Sequence, residues 1–165
     1  MKKIVVFLFL AAIGMSGFAQ QSDIPSVTIK TIKGQNFNTS DISNDGKPII
    51  LSFWALWCKP CQKELDAFNE HYETWQQETG VKIYAVSIDD SRSTSRVLPL
   101  VNGKGWEFEI LMDVNGDFKR AMNVNMIPHT FLIDGNGKIV SQHTSYFDGA
   151  ELELYEKVKK IAGIK

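Results

Sequence analysis

Ile49-Ile50-Leu51-Ser52-Phe53-Trp54 is a nearly continuous apolar run within Pro48 to Ala55, and it leads straight into two cysteines. Such a run marks a strand buried on both faces. Behind the cysteines, Cys61, Leu65, Phe68, Tyr72 and Trp75 recur at intervals of four, three, four and three, forming one apolar helical stripe that ends at Gly80. Cys58 and Cys61 are the only cysteines among 165 residues. A structural zinc site would need four ligands, and His71, His129 and His143 are scattered, so the spacing predicts no metal and no cofactor. It predicts a reversible dithiol–disulfide pair. Cys58 opens the helix, where unpaired N–H groups and the dipole favour a thiolate. Pro60 suits the first turn, where its missing N–H is not needed. Cys61 sits on the buried stripe and stays protonated. The expected roles are attack by an exposed Cys58 and resolution by Cys61. A static disulfide at this spacing would close too small a loop to stabilise much.

The N-terminus predicts export. Lys2 and Lys3 precede an apolar stretch, Ile4 to Ile13, and Gly17-Phe18-Ala19 supplies the small residues of a cleavage site. The expected division is a signal peptide at 1–19, cleaved after Ala19, a short polar leader at 20–26 and one domain at 27–165. An uncleaved N-terminal membrane anchor is the alternative, and no Cys lies near the site for a lipid. A bacterial periplasm or cell surface lets disulfides persist. Removing 1–19 takes two of 18 basic residues and none of 19 acidic ones, so 16 face 19 and the charge becomes −3. That balance gives no sign of a nucleic-acid or acidic-membrane binder.

Along the chain, strands are expected at Val27–Ile32, a short stretch after Lys33-Gly34, Pro48–Ala55, Val81–Ile88 and Phe108–Met112. Asp89-Asp90-Ser91 should cap a helix from about Arg92 to Asn102, interrupted by Pro99. A short helix spans Asp117–Val124, and Asp134-Gly135-Asn136-Gly137 joins strands Thr130–Ile133 and Lys138–His143 as a hairpin. Asp148-Gly149 precedes a terminal helix through Ile164. These alternations predict an α/β fold with a central mixed sheet flanked by helices. Asp113-Val114-Asn115-Gly116-Asp117 imitates a calcium loop, but its Gly is early and Val124 stands where the bidentate Glu belongs.

Phe53-Trp54-Ala55-Leu56-Trp57-Cys58-Lys59-Pro60-Cys61 resembles the active-site segment of thioredoxin-fold proteins, and Met126 to Asp134 resembles their cis-proline segment and following strand. With the exported context, Glu64 and the extra β/α segment from Tyr84 to about Val124, the chain resembles the TlpA/ResA-like thiol–disulfide oxidoreductases over roughly residues 24–163. The resemblance implies a thioredoxin-like fold with an N-terminal β extension and an inserted β/α segment. It implies that Pro128 is cis and holds Ile127 extended to pair with a substrate segment, beside Trp57, Lys59 and Pro60. It implies that Glu64 lies beneath the pair, partly buried with a raised pKa, and deprotonates Cys61. The alternative for Glu64 is a solvated side chain near the helix start. Ser52 departs from cytosolic thioredoxins, which carry an Asp there. Leu65-Asp66 stand where the family often has a Pro. His129 replaces a common Thr, either near Cys58 or, as expected, at the groove edge on the surface.

The leading function is reduction of disulfide-bearing partner proteins by an exported monomer fed by a membrane electron donor. The pair Lys59-Pro60 lacks the His of strongly oxidising centres, which places the potential toward thioredoxin. The alternatives are a copper(I) metallochaperone using His129 or His143, and a thiol peroxidase. Against the peroxidase, Ala55 stands where related enzymes carry Thr.

Overall fold

The computed structural model describes residues 23–164, so the expected signal peptide and the start of the leader lie outside the described residues. From the N-terminus the chain forms β1 (Thr28–Thr31), β2 (Asn36–Asn38), β3 (Ile49–Trp54), α1 (Lys59–Thr79), β4 (Lys82–Ser87), α2 (Val97–Lys104), β5 (Glu109–Met112), α3 (Asp117–Ala121), β6 (His129–Ile133), β7 (Ile139–Thr144) and α4 (Ala150–Ile161). The seven strands make one sheet in the order β2-β1-β5-β4-β3-β6-β7. The β3–β4 and β4–β5 pairs are parallel and the other neighbours antiparallel, which is the mixed sheet expected.

Alternation along the strands divides the core in two. Ile50 and Trp54 face the stripe of α1, together with residues of α2 and α4. Leu51 and Phe53 face the other way, against Phe118 of α3, Ile29 and Ile42. With helices on both faces, all six residues of β3 are buried, so the run is apolar rather than alternating. On α1, Leu65, Phe68, Tyr72 and Trp75 are buried, and Gly80 ends the helix at φ 67°. Trp75 stacks on Tyr155 of α4 with ring centroids 4.6 Å apart.

Four local expectations are corrected. The helix expected from Arg92 begins at Val97, after a 3-10 turn at Thr94–Arg96. Asp89 is engaged by the Leu56 N–H, and Asp90 caps only the turn before the helix, accepting the Arg92 N–H at 3.0 Å. Pro99 is the third residue of α2, where no intrahelical N–H bond is lost, so it belongs to the first turn instead of interrupting the helix. The helix expected to reach Val124 stops at Ala121, and Asn123 turns to φ 56°. Asp113, in the calcium-like stretch, accepts the N–H groups of Phe118 and Lys119 at 3.2 and 2.7 Å, so its carboxylate is occupied by the start of α3. Residues 23–26, read as leader, are docked. Ile24 is buried, and the Asp23 carboxylate accepts from Lys138 and from the Ile139 N–H, both at 3.0 Å.

Candidate active site

The cysteines sit where β3 ends and α1 begins, and the turn between them is tied down at several points. The Cys58 N–H donates to the Ala55 carbonyl at 3.0 Å. The Leu56 peptide is held at both ends: its N–H donates to Asp89 at 2.9 Å and its carbonyl accepts from Gln62 at 2.7 Å. Cys58 is the N-cap of α1, Pro60 lies in the first turn, and the Cys61 N–H points at the Cys58 sulfur 3.3 Å away. The pair is joined by a disulfide with Cα atoms 5.3 Å apart. Cys58 was expected at an exposed helix start. It is only 5% exposed, because Trp54, Ala55 and the α1 stripe close around it, while Cys61 is fully enclosed. The asymmetry is therefore small, and the exposed groups are its neighbours Trp57, Lys59 and Pro60.

Glu64 is the largest departure from an ordinary helix surface. It is 0% exposed, one turn beyond Cys61, so it is not the solvated side chain a helix start would favour. Its Oε2 accepts from the Ser52 hydroxyl at 2.9 Å and the Thr130 hydroxyl at 2.8 Å. Its Oε1 lies 2.9 Å from Nε2 of His143. The partners form one row across the sheet, because Ala85, Ser52, Thr130 and His143 are level in β4, β3, β6 and β7. Ser52 thus serves Glu64 with its hydroxyl. At the next positions, Leu65 is buried and Asp66 accepts from the indole N–H of Trp106 at 2.9 Å.

The Ile127-Pro128 bond is cis, and Pro128 is buried. Phe53 pairs with His129, so Pro128 lies level with the end of β3, at the edge from which the cysteine turn emerges. The Pro128 carbonyl accepts from the Ser145 N–H at 3.1 Å, which draws the loop after β7 to the same end. That end carries three exposed apolar side chains from three loops, Trp57, Met126 and Phe147. Trp57 also borders a groove of about 420 Å³ with Ile88, Asp90, Arg92 and Arg96. Hydrogen bonding from Arg92 holds the Asp90 carboxyl below its ordinary value.

His129 meets neither expectation. It is neither near Cys58 nor on the surface. Strand alternation turns it onto the face away from α1, where it stacks on Phe131 with centroids 4.3 Å apart and bonds Gln142 at 2.9 Å. His143, which looked scattered in sequence, belongs to the site. Asp89 and Gln62 were missed as the groups that hold Leu56. Period-two alternation in β7 is the one sequence signal that could have placed His143 facing α1.

Residues 21–142 match the AhpC/TSA family model. The chain is 32% identical over 149 residues to the thiol-disulfide oxidoreductase ResA of Geobacillus thermodenitrificans, covering 84% of this chain and 83% of the relative. An uncharacterised thioredoxin-like protein of Porphyromonas gingivalis, solved in solution, is 51% identical with a TM-score of 0.77, covering 86% of this chain and 93% of its own. StoA from Bacillus subtilis is 26% identical with a TM-score of 0.64, covering 81% and 97%.

Proposed function

Since the chain belongs to the AhpC/TSA family and, with its ResA relatives, is a thioredoxin-fold thiol–disulfide oxidoreductase, we propose that it is an exported monomer that reduces disulfides of partner proteins. Among the described residues no helix is long and apolar enough to cross a membrane. The basic-apolar-small pattern of residues 1–19 supports export.

In the reduced protein the Cys58 thiolate attacks one sulfur of a substrate disulfide. That S–S bond breaks, a mixed disulfide forms, and the first substrate thiolate leaves and takes a proton. Cys61 then gives its proton to Glu64 and attacks the Cys58 sulfur, expelling the second substrate thiolate, which is protonated in turn. The substrate gains two electrons and two protons, and the Cys58–Cys61 disulfide remains, to be reduced by a donor dithiol at the membrane. The cis-Pro128 segment presents the Ile127 backbone to an extended substrate strand. Trp57, Met126 and Phe147 offer it apolar contact.

The observation that carries this reading is the burial of Glu64 one helical turn beyond a buried Cys61, in a pair whose only residual exposure is on Cys58. A carboxylate without access to water has a chemical use there as a proton acceptor. The reducing direction is supported by the side chain of His129, which bonds Gln142 on the far face and so places no imidazole beside Cys58. Trapping with Cys61→Ser tests the function. Mixed disulfides with exported proteins, linked through Cys58, are the expected result. Capture of none, with rapid consumption of peroxide by the parent protein, would replace reductase by peroxidase. Equilibration with glutathione should give a potential nearer about −270 mV than about −120 mV.

A further inference from the structure

Glu64 has no exposure of its own, so a proton received from Cys61 leaves only through a partner. Two of its three partners offer no way out. The Ser52 and Thr130 hydroxyls are themselves fully buried, with their oxygens 2.9 Å apart, and each turns its one proton to Oε2. The third partner differs. His143 lies on the edge strand β7, its side chain is 28% exposed, and its Nε2 stands 2.9 Å from Oε1. The ring also lines a surface pocket of about 90 Å³, whose walls include Glu153 and Lys157. A space of that size admits water, since one molecule needs only about 15 Å³ of such volume.

We propose that His143 is a positioning residue and the proton outlet of the resolving step, a role that rests on Glu64 being the acceptor of the Cys61 proton. An imidazole carries a proton on either nitrogen and exchanges it with water near neutral pH. Glu64, protonated by Cys61, donates from Oε1 to Nε2 of a ring that carries its proton on Nδ1. The ring then releases the Nδ1 proton to water. One proton leaves Cys61, one reaches solvent, and Glu64 is again a carboxylate. The ring ends as the other tautomer and resets by exchange with water. A side chain that only donates would hold Glu64 in place and strand the proton.

His143→Gln separates the two tasks, because its amide N–H can still face Oε1 but cannot relay a proton. The assay is stopped-flow reduction of a peptide disulfide whose two thiols carry different fluorophores, so that attack and resolution are timed separately. H143Q should attack at the parent rate and resolve at least about tenfold more slowly, since positioned proton transfer contributes about 100-fold or more. Free imidazole in the buffer should restore its resolution. His143→Asn takes its place if H143Q does not fold. Glu64→Gln run in parallel should resolve slowly and gain nothing from imidazole. Parent-rate resolution in E64Q would remove both the acceptor role and the outlet. Slow E64Q beside an H143Q that resolves normally, or that imidazole does not rescue, would remove the outlet alone.

Discussion

Replacing Asp89 by Ala removes a carboxylate that is 2% exposed and accepts from three groups. These are the Leu56 N–H at 2.9 Å, the Ser87 hydroxyl at 2.9 Å and the Ser93 hydroxyl at 3.2 Å, and none is a cation. The hydroxyls can rotate toward other acceptors, but the Leu56 N–H is fixed by its backbone. Leaving it unpaired costs about 1–3 kcal/mol, and the two hydroxyls, once turned to weaker neutral acceptors, add about 1 kcal/mol between them, so the expected total is about 2–4 kcal/mol. At about 3 °C per kcal/mol for a domain near this size, Tm should fall by about 6–12 °C. Asn at 89 keeps one acceptor oxygen for Leu56, so Asp89→Asn should lose about half as much. Asp90→Ala is the contrasting control. Asp90 meets the Arg92 side chain in two short contacts and accepts its backbone N–H at 3.0 Å, but the side chains are 45% and 89% exposed and water replaces these partners, so Tm should fall by no more than about 3 °C. Thermal unfolding of the oxidised proteins by circular dichroism reads all three. An Asp89→Ala loss under about 2 °C, or an equal loss in Asp90→Ala, would refute the view that burial rather than ion pairing sets the contribution. The same Asp89→Ala protein, once reduced, should be alkylated at Cys58 at a changed rate, because Leu56 precedes the cysteine turn.

Three further outcomes are expected. In the reduced protein iodoacetamide should modify Cys58 before Cys61, read by peptide mapping of a time course, since only Cys58 has residual exposure and the helix end. A Cβ on Gly135 would meet the Gly46 carbonyl oxygen at 1.9 Å, backbone against backbone, so Gly135→Ala should lower stability by about 1–3 kcal/mol in urea unfolding. Gly103→Ala, in open space on α2, should instead stabilise by up to about 1 kcal/mol. The Asp23 carboxyl is held below its ordinary 3.8, first by the Lys138 hydrogen bond and then by the Ile139 N–H. Its contribution is therefore complete above pH 3.8 and lost as pH falls through the lower folded value, so hydrogen exchange at the Ile139 amide should accelerate only in that acid window.

What could be read from the sequence follows the range of the interactions involved. The α1 stripe and its Gly80 stop are set by neighbours three and four residues apart, and the Asp134–Gly137 turn by bonds within itself. Both were legible for that reason. Asp89 looked like a helix cap because local rules favour it there, yet its decisive partner, Leu56, is 33 residues away. His143 meets Glu64 across 79 residues, a separation that no spacing rule spans. His129 departs for another reason: adjacency to Pro128 suggests the groove edge, or the neighbourhood of Cys58, while the pleat of β6 turns its ring to the opposite face, where it is buried. Cys58 was read as exposed because helix starts usually are, and tertiary cover from Trp54 overrode that.

The row of Ser52, Thr130 and His143 has a consequence for assembly of the sheet. Strand β6, His129-Thr130-Phe131-Leu132-Ile133, is buried on both faces, so its apolar residues alone would tolerate sliding along β3. Sliding by one residue would turn Thr130 to the far face and bring His129 or Phe131 opposite Ser52. Glu64 would then lose one of the two hydroxyls on Oε2 and its alignment with His143, and an under-satisfied buried carboxyl group costs several kcal/mol. The polar row thus acts as an alignment key that only one pairing of β3, β6 and β7 fits. Thr130→Val would leave the strand as apolar as before but blunt the key.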